Sequence, residues 1–144
     1  MVHSRVMKFA LVLSSILSMA GCSMGSSAPS GHTVKRLVAE ASLADLVKMA
    51  NLELRMDAPY GNEPPSSAYL RHKASVEDLQ KDSGHYVHKI EASLHSKGCS
   101  KLSRNEYQCS LVETNPETHE KTSIVVDVSK AGQTWVLDGF KPAQ

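Results

Sequence analysis

Between Thr33 and Met56 the apolar positions Val34, Leu37, Val38, Ala41, Leu46, Val47, Ala50 and Leu54 recur at intervals of three and four, the spacing that one face of an α-helix requires. The segment is read as helical. Ser42 followed by Asp45 resembles a capping box, which would break it into a short helix and a longer one. The alternation of Leu52, Leu54 and Met56 also suits a short strand. A second helical pattern spans Ser75 to Lys97. Ser75 and Asp78 again have capping-box spacing, Val76, Leu79, Tyr86, Val87, Ile90 and Leu94 form the stripe, and Gly98 is placed to end it. Asp57 to Ser67, with Pro59, Gly61, Asn62, Pro64 and Pro65, forms a loop between the two.

After Gly98 the period drops to two. Tyr107, Cys109 and Leu111 alternate with polar residues, then Ile124, Val126 and Val128, then Trp135 and Leu137, and each set predicts one apolar face of a strand. Ser103-Arg104-Asn105, Asn115-Pro116-Glu117-Thr118 and Lys130-Ala131-Gly132-Gln133 supply the turns. Connections this short favour antiparallel hairpins. A first strand around Cys99 to Leu102 completes a four-stranded meander. The register expected sets Tyr107, Cys109 and Leu111 against Val128, Val126 and Ile124, with Val128 and Val126 opposite Trp135 and Leu137. The fold class is therefore α+β: N-terminal helices, then an antiparallel four-stranded meander whose apolar face is covered by a helix, expected to be Ser75–Lys97. Trp135, the only tryptophan, is expected in the buried face.

A first hairpin turning at Arg104 places Cys99 directly opposite Cys109, where cross-strand Cβ atoms are about 4.5–5.5 Å apart and small adjustments close a disulfide. The spacing suits a bridge better than a metal. Zinc would need two more ligands at suitable spacing, and a redox pair is more often Cys-x-x-Cys.

This order of elements, with Gly98-Cys99, Tyr107-Gln108-Cys109 and the late Trp135-Val136-Leu137, resembles the cystatin-like or NTF2-like architecture of many small periplasmic lipoproteins. The resemblance covers roughly residues 68–140 and implies a fold, not an activity.

The first 22 residues change the picture more than any other segment. His3, Arg5 and Lys8 precede an apolar run from Phe9 to Leu17, then small residues and a cysteine, the layout of a signal peptide. The run is short of the roughly 20 residues that span a bilayer. Ala20-Gly21-Cys22, with apolar Met19 before it, resembles the lipobox of bacterial lipoproteins. The resemblance implies cleavage before Cys22, diacylglycerol on its sulfur and acylation of its new amino group. More than one acyl chain anchors stably without a basic patch. Ser23 follows the cysteine where lipoproteins retained in the inner membrane typically carry Asp, so the resemblance points to the outer membrane. Ser23 to His32, rich in Ser and Gly, cannot bury enough apolar surface to offset its ordering and reads as a tether. Its reach is about 18 Å. The organisation expected is a leader over 1–21, an anchor and tether over 22–33, and one globular domain over 34–144.

Charge removes one class of partner. The chain has 16 Lys+Arg and 15 Asp+Glu, and loss of Arg5 and Lys8 with the leader leaves 14 basic residues, so no basic footprint for nucleic acid exists. The sequence carries no Gly-x-Ser-x-Gly, no Gly-rich phosphate loop and no Ser-x-x-Lys in a suitable context, so no catalytic residue, metal ligand or cofactor is assigned and the chain is not read as an enzyme. His85, His88 and His95 are read on one helix, facing water. His88 and His95 would lie about 10.5 Å apart along the axis, too far for a metal pair. His119-Glu120 begins like His-Glu-x-x-His but no second histidine follows, and it is read as a loop tip. The expected partners are the membrane, through Cys22, and a protein of the envelope. The function expected is a non-catalytic binding module of the immunity or exclusion type. The alternative is a structural accessory of an envelope secretion or conjugation complex.

Overall fold

Ser30 starts the first helix by accepting a hydrogen bond from the Thr33 amide onto its hydroxyl at 3.1 Å, a cap that satisfies one of the free N–H groups at a helix start. The structure, a computed structural model, describes residues 27–142. Cys22 and the leader lie outside the described residues. Helix α1 is Gly31–Met56, α2 Ser67–Lys81 and α3 Ser83–Ser93; strands β1 Leu94–Ser103, β2 Glu106–Thr114, β3 Lys121–Ala131 and β4 Thr134–Pro142 follow. The strands form one open antiparallel sheet in the order β1-β2-β3-β4. Three helices followed by an antiparallel meander make the fold α+β, as the hydrophobic periods require.

Several local expectations are corrected. The α1 helix runs unbroken through Ser42, and its end, through Leu52 to Met56, is helical rather than extended. The real N-caps are Ser30 and Ser66, whose hydroxyl accepts from Tyr69 N at 3.1 Å. Ser75 lies inside α2, where its Oγ donates back to the Arg71 carbonyl. The Ser75–Lys97 pattern is divided at Asp82, and the helical part ends at Ser93. Strand β1 begins five residues before Cys99, so Gly98, at φ +108, sits at a bulge in a strand and not at a helix end. Only glycine adopts that backbone readily. Gly31 and His32, read as tether, are already helical. A Cβ on Gly31 would come within 3.0 Å of Ser96 Cβ, so the helix starts in close contact with β1.

The register of β2 on β3 is as expected: Tyr107, Cys109 and Leu111 oppose Val128, Val126 and Ile124. Cys99 opposes Cys109 on β1, with the two sulfurs bonded at 2.07 Å. The β3–β4 register differs. Ala131 pairs with Thr134 around a two-residue turn, Gly132-Gln133, with Gly132 at φ +64, as the tight hairpin turns that match strand twist demand. That turn sets Trp135 opposite Lys130 and Leu137 opposite Val128. One extra residue at Asp138 then shifts Phe140 opposite Val126. Trp135 is accordingly half-buried at the end of the sheet, not buried. Its ring meets Tyr107 edge to face at 5.6 Å, and the Lys130 ammonium lies 5.6 Å from its centre.

The helix on the sheet is α1, not Ser75–Lys97. Val34 and Val38, with Leu37 beside them, close over Leu94, Tyr107, Cys109, Leu111, Ile124, Val126 and Val128. Ala39 and Leu43 enter a second cluster with Val87, Val47, Leu79 and Tyr86. At about 100° per residue, Leu43 lies about 180° from Val34. The apolar positions read as one face are thus two opposed faces, one on the sheet and one on α2 and α3, and Ile90 joins both clusters.

Leu111, 1% exposed at the centre of the first cluster, should lose about 2–5 kcal/mol of stability on truncation to Ala, whereas Met56, 82% exposed, should lose less than about 0.5 kcal/mol. Urea midpoints of the two variants decide between them. Non-reducing peptide mapping should recover Cys99 linked to Cys109. Replacing both by Ala should remove about 2–3 kcal/mol, the chain-entropy value for a loop spanning a sequence separation of 10.

Candidate docking surface

Helix α1 is 26 residues long, about 39 Å at 1.5 Å per residue. The four strands span only about 14 Å between edges. Helix α1 touches both β1 and β4, and the residues it packs into the sheet core, Val34, Leu37 and Val38, all belong to its first half. Taking Val34 as zero azimuth, Met49, Leu52 and Met56 fall within about 60° of it. The stripe that meets the sheet in the first half of α1 continues in the second half, where its side chains are exposed and Glu113 at the end of β2 stands beside Met49. These side chains are 58%, 44% and 82% exposed, and Leu46 beside them is 51% exposed. Single exposed apolar residues need no explanation, but a contiguous row on one helix face marks an interaction surface.

Beside this row, between α1 and the end of β2, lies an open cavity of about 340 Å³ lined by Ser42, Asp45, Leu46, Met49, Ile90 and Glu113. Ile90, Leu46 and Met49 give it an apolar floor, and Asp45 and Glu113 stand at its edge. Neither carboxylate has an ion-pair partner among the described residues. A larger groove of about 580 Å³ lies on the opposite side of α1, between it and α2 and α3, with Leu43, Val47, Leu79 and Val87 as floor. Its charges are already matched. Arg36 Nε donates to Glu40 Oε1 at 2.8 Å, and Arg36 Nη1 donates to Glu91 Oε1 at 3.3 Å. The hydrogen bond to Glu40, reinforced by the charges of Glu40 and Glu91, raises the Arg36 guanidinium above its ordinary value. Glu91 is the buried acid of the described residues at 9% exposure, and Arg36 supplies the partner that makes its burial tolerable.

Two further polar contacts link the helices. His72 Nδ1 on α2 lies 2.7 Å from Asp57 Oδ2 and His72 Nε2 lies 4.0 Å from Glu53 Oε2 at the end of α1; these are ion pairs when the imidazole carries its second proton, and Nδ1, which is buried, makes no aligned hydrogen bond. The sequence singled out other histidines, because the His72 partners come from a different helix and leave no spacing signal. Tyr86 on α3 donates its hydroxyl to Asp78 Oδ2 on α2, and this hydrogen bond holds the Tyr86 phenol above its ordinary pKa.

The residues named from sequence are not brought together. His85 and His88 are exposed on α3, with His88 Nδ1 3.9 Å from Glu91 Oε2, while His95 is on β1 opposite Val112. Their shared helix face does not exist, because the helix stops at Ser93. His119 is at the β2–β3 loop, at φ +60, where Asn115 Oδ1 accepts from the Glu117 and Thr118 amides. Among the described residues no group of three or more His, Cys, Asp or Glu is placed to hold a metal ion, and no helix is long and apolar enough to cross a membrane. No protein-family model, no curated protein and no solved structure matches this chain.

The Tyr86–Asp78 tie gives a pH prediction with a defined sign. The bond needs the phenol proton, so its contribution is complete below the ordinary tyrosine pKa of about 10 and is lost as pH rises through the raised folded value. Amide exchange at the α2–α3 junction should quicken in that alkaline window in the wild type. Tyr86→Phe should show the faster exchange already at neutral pH and no step; a step retained in Tyr86→Phe would assign it to another group.

Proposed function

We propose that this chain is a lipid-anchored protein of the bacterial envelope, held through Cys22 at the periplasmic face of the outer membrane. It acts there as a non-catalytic protein-binding module of the immunity or exclusion type. The observation that carries the binding role is the row Met49, Leu52 and Met56, which α1 presents beyond the sheet. Val34, Leu37 and Val38 make the contact of α1 with the sheet, and the later part of the helix packs against α2 and α3 with its other face, through Leu43 and Val47, which leaves this row uncovered. Methionine is suited to such a surface because its unbranched, polarizable chain adapts to a partner. A patch of four side chains with charged residues at its edge fits a partner that comes and goes. Permanent assembly into a secretion or conjugation apparatus would use a larger and more apolar face.

The anchor follows from the lipobox resemblance and from the helix start. Gly31 packs on Ser96 of β1, and only eight residues separate it from Cys22. At no more than about 3.6 Å per residue they span at most roughly 30 Å. The docking row lies in the C-terminal half of α1, at the other end of the helix from Gly31.

Metabolic labelling with a fatty-acid analogue should mark the wild-type chain and leave Cys22→Ser unlabelled and released from membranes; label retained on Cys22→Ser would refute the anchor. A photo-crosslinking residue at Met49 of the full-length chain, in its native envelope, should yield a specific adduct absent when the same residue replaces Ser110 on the outer face of the sheet. Equal background from both positions would refute the docking role.

A further inference from the structure

The Met49 end of the docking row is bordered by acid. About 40° to either side of Met49 in azimuth lie Asp45 and Glu53, while Lys48 and Arg55 stand on the other flank of α1, beside Leu52. Across the cavity, Glu113 comes from β2, where it occupies the sheet's inner side opposite Leu94 and Thr122. Asp45 and Glu113 thus border one apolar-floored cavity of about 340 Å³ from two elements brought together only by the fold. Glu53 faces His72 at 4.0 Å, but Asp45 and Glu113 have no cationic partner among the described residues.

From this complementarity we infer that the row is a docking site for a basic, amphipathic segment of a partner protein. A lysine or arginine of that segment lays its aliphatic stem on Leu46, Met49 and Ile90 and places its charge between Asp45 and Glu113. The residue type is dictated by the cavity. A purely apolar side chain would leave two carboxylates partly desolvated and unpaired, and an acidic one would add repulsion. A long cationic side chain satisfies both parts of the site, because its methylenes are apolar and its head is not. Arginine in particular is enriched among the residues that dominate interface energetics. The apolar residues of the same segment follow Met49, Leu52 and Met56, at the spacing by which one helix reads another. A second copy of this chain is disfavoured as occupant. Parallel pairing of two α1 rows would set Asp45 against Asp45, and the self-association measurement below tests the antiparallel arrangement.

The assignment rests on the docking role proposed above and sharpens it to a partner chemistry. Its probes are two designed helical peptides of identical apolar pattern, one with lysine and one with glutamate at the polar positions. They are titrated into the chain from residue 22 onward carrying Cys22→Ser, which keeps every described residue. The lysine peptide should shift amide resonances of residues 45–56 and of Glu113, and should bind at least tenfold more tightly than the glutamate peptide at low salt. Asp45→Lys with Glu113→Lys should reverse that preference, and Met49→Ala should weaken the wild-type complex with the preference intact. Both charge positions are exposed, so unchanged amide dispersion elsewhere verifies the fold. Equal affinity for the two peptides, or shifts confined to another surface, would overturn the inference. So would self-association of the chain abolished by Met49→Glu, which would make a second copy the occupant. A Met49 photo-adduct whose yield is insensitive to the double charge reversal would leave the docking role standing and remove only this assignment.

Discussion

Val34 and Val38 stand one helical turn apart on α1 and are almost completely withdrawn from water, at 0% and 2% exposure. They reach that state by packing on an inner row of Cys109, Leu111, Val126 and Val128, each at 1% or less. An antiparallel sheet with one solvated side has a single apolar face to cover, and α1 is the element that covers it. Helix α3 reaches that face through Ile90, and the remaining apolar residues of α2 and α3 pack elsewhere. They bury what they can against the opposite side of α1, through Leu43, Val47, Val87 and Leu79. One helix therefore serves two cores, and its contact with the sheet sets where everything N-terminal to β1 must lie.

The second layer is held less deeply than the first. Among the described residues of α2 only Val76 is buried; Leu79 is partly buried against the second cluster, and Tyr86 of α3 hydrogen-bonds Asp78 at the surface. Few buried apolar contacts and exposed hydrogen bonds are the physical marks of a region that opens at low free energy. The junction of α1 with α3 is firmer, because the buried Glu91 carboxylate needs Arg36 and an opening there would break a charged pair.

The candidate surface is the continuation of the stripe that covers the sheet. With 26 residues, α1 extends its sheet-facing azimuth into solvent, where Met49, Leu52 and Met56 remain uncovered. Beside them the end of β2 contributes Glu113 and α3 contributes Ile90, so the surface is built by three elements although its apolar part belongs to one.

The sequence by itself determined the four-strand meander, the register of its central hairpin and the Cys99–Cys109 opposition. The alternation of Tyr107, Cys109 and Leu111 and of Ile124, Val126 and Val128, joined by a short turn-rich loop, specified a register that the structure reproduces to the residue, and the opposition of Cys99 to Cys109 came from the same local count. A period of two and a short connection fix register between chain neighbours, so no distant information is needed. The β3–β4 register was not legible: Lys130-Ala131-Gly132-Gln133 does not show which two residues form the tight turn, and the bulge at Asp138 adds a further shift beyond it. Tertiary structure alone decided which helix covers the sheet, that α1 has two buried faces, and that Asp45 and Glu113 share one cavity although 68 positions separate them in the chain. A helical stripe records only that some face is apolar. What it meets, and where along its length the contact ends, depends on the dimensions of an element formed elsewhere in the chain.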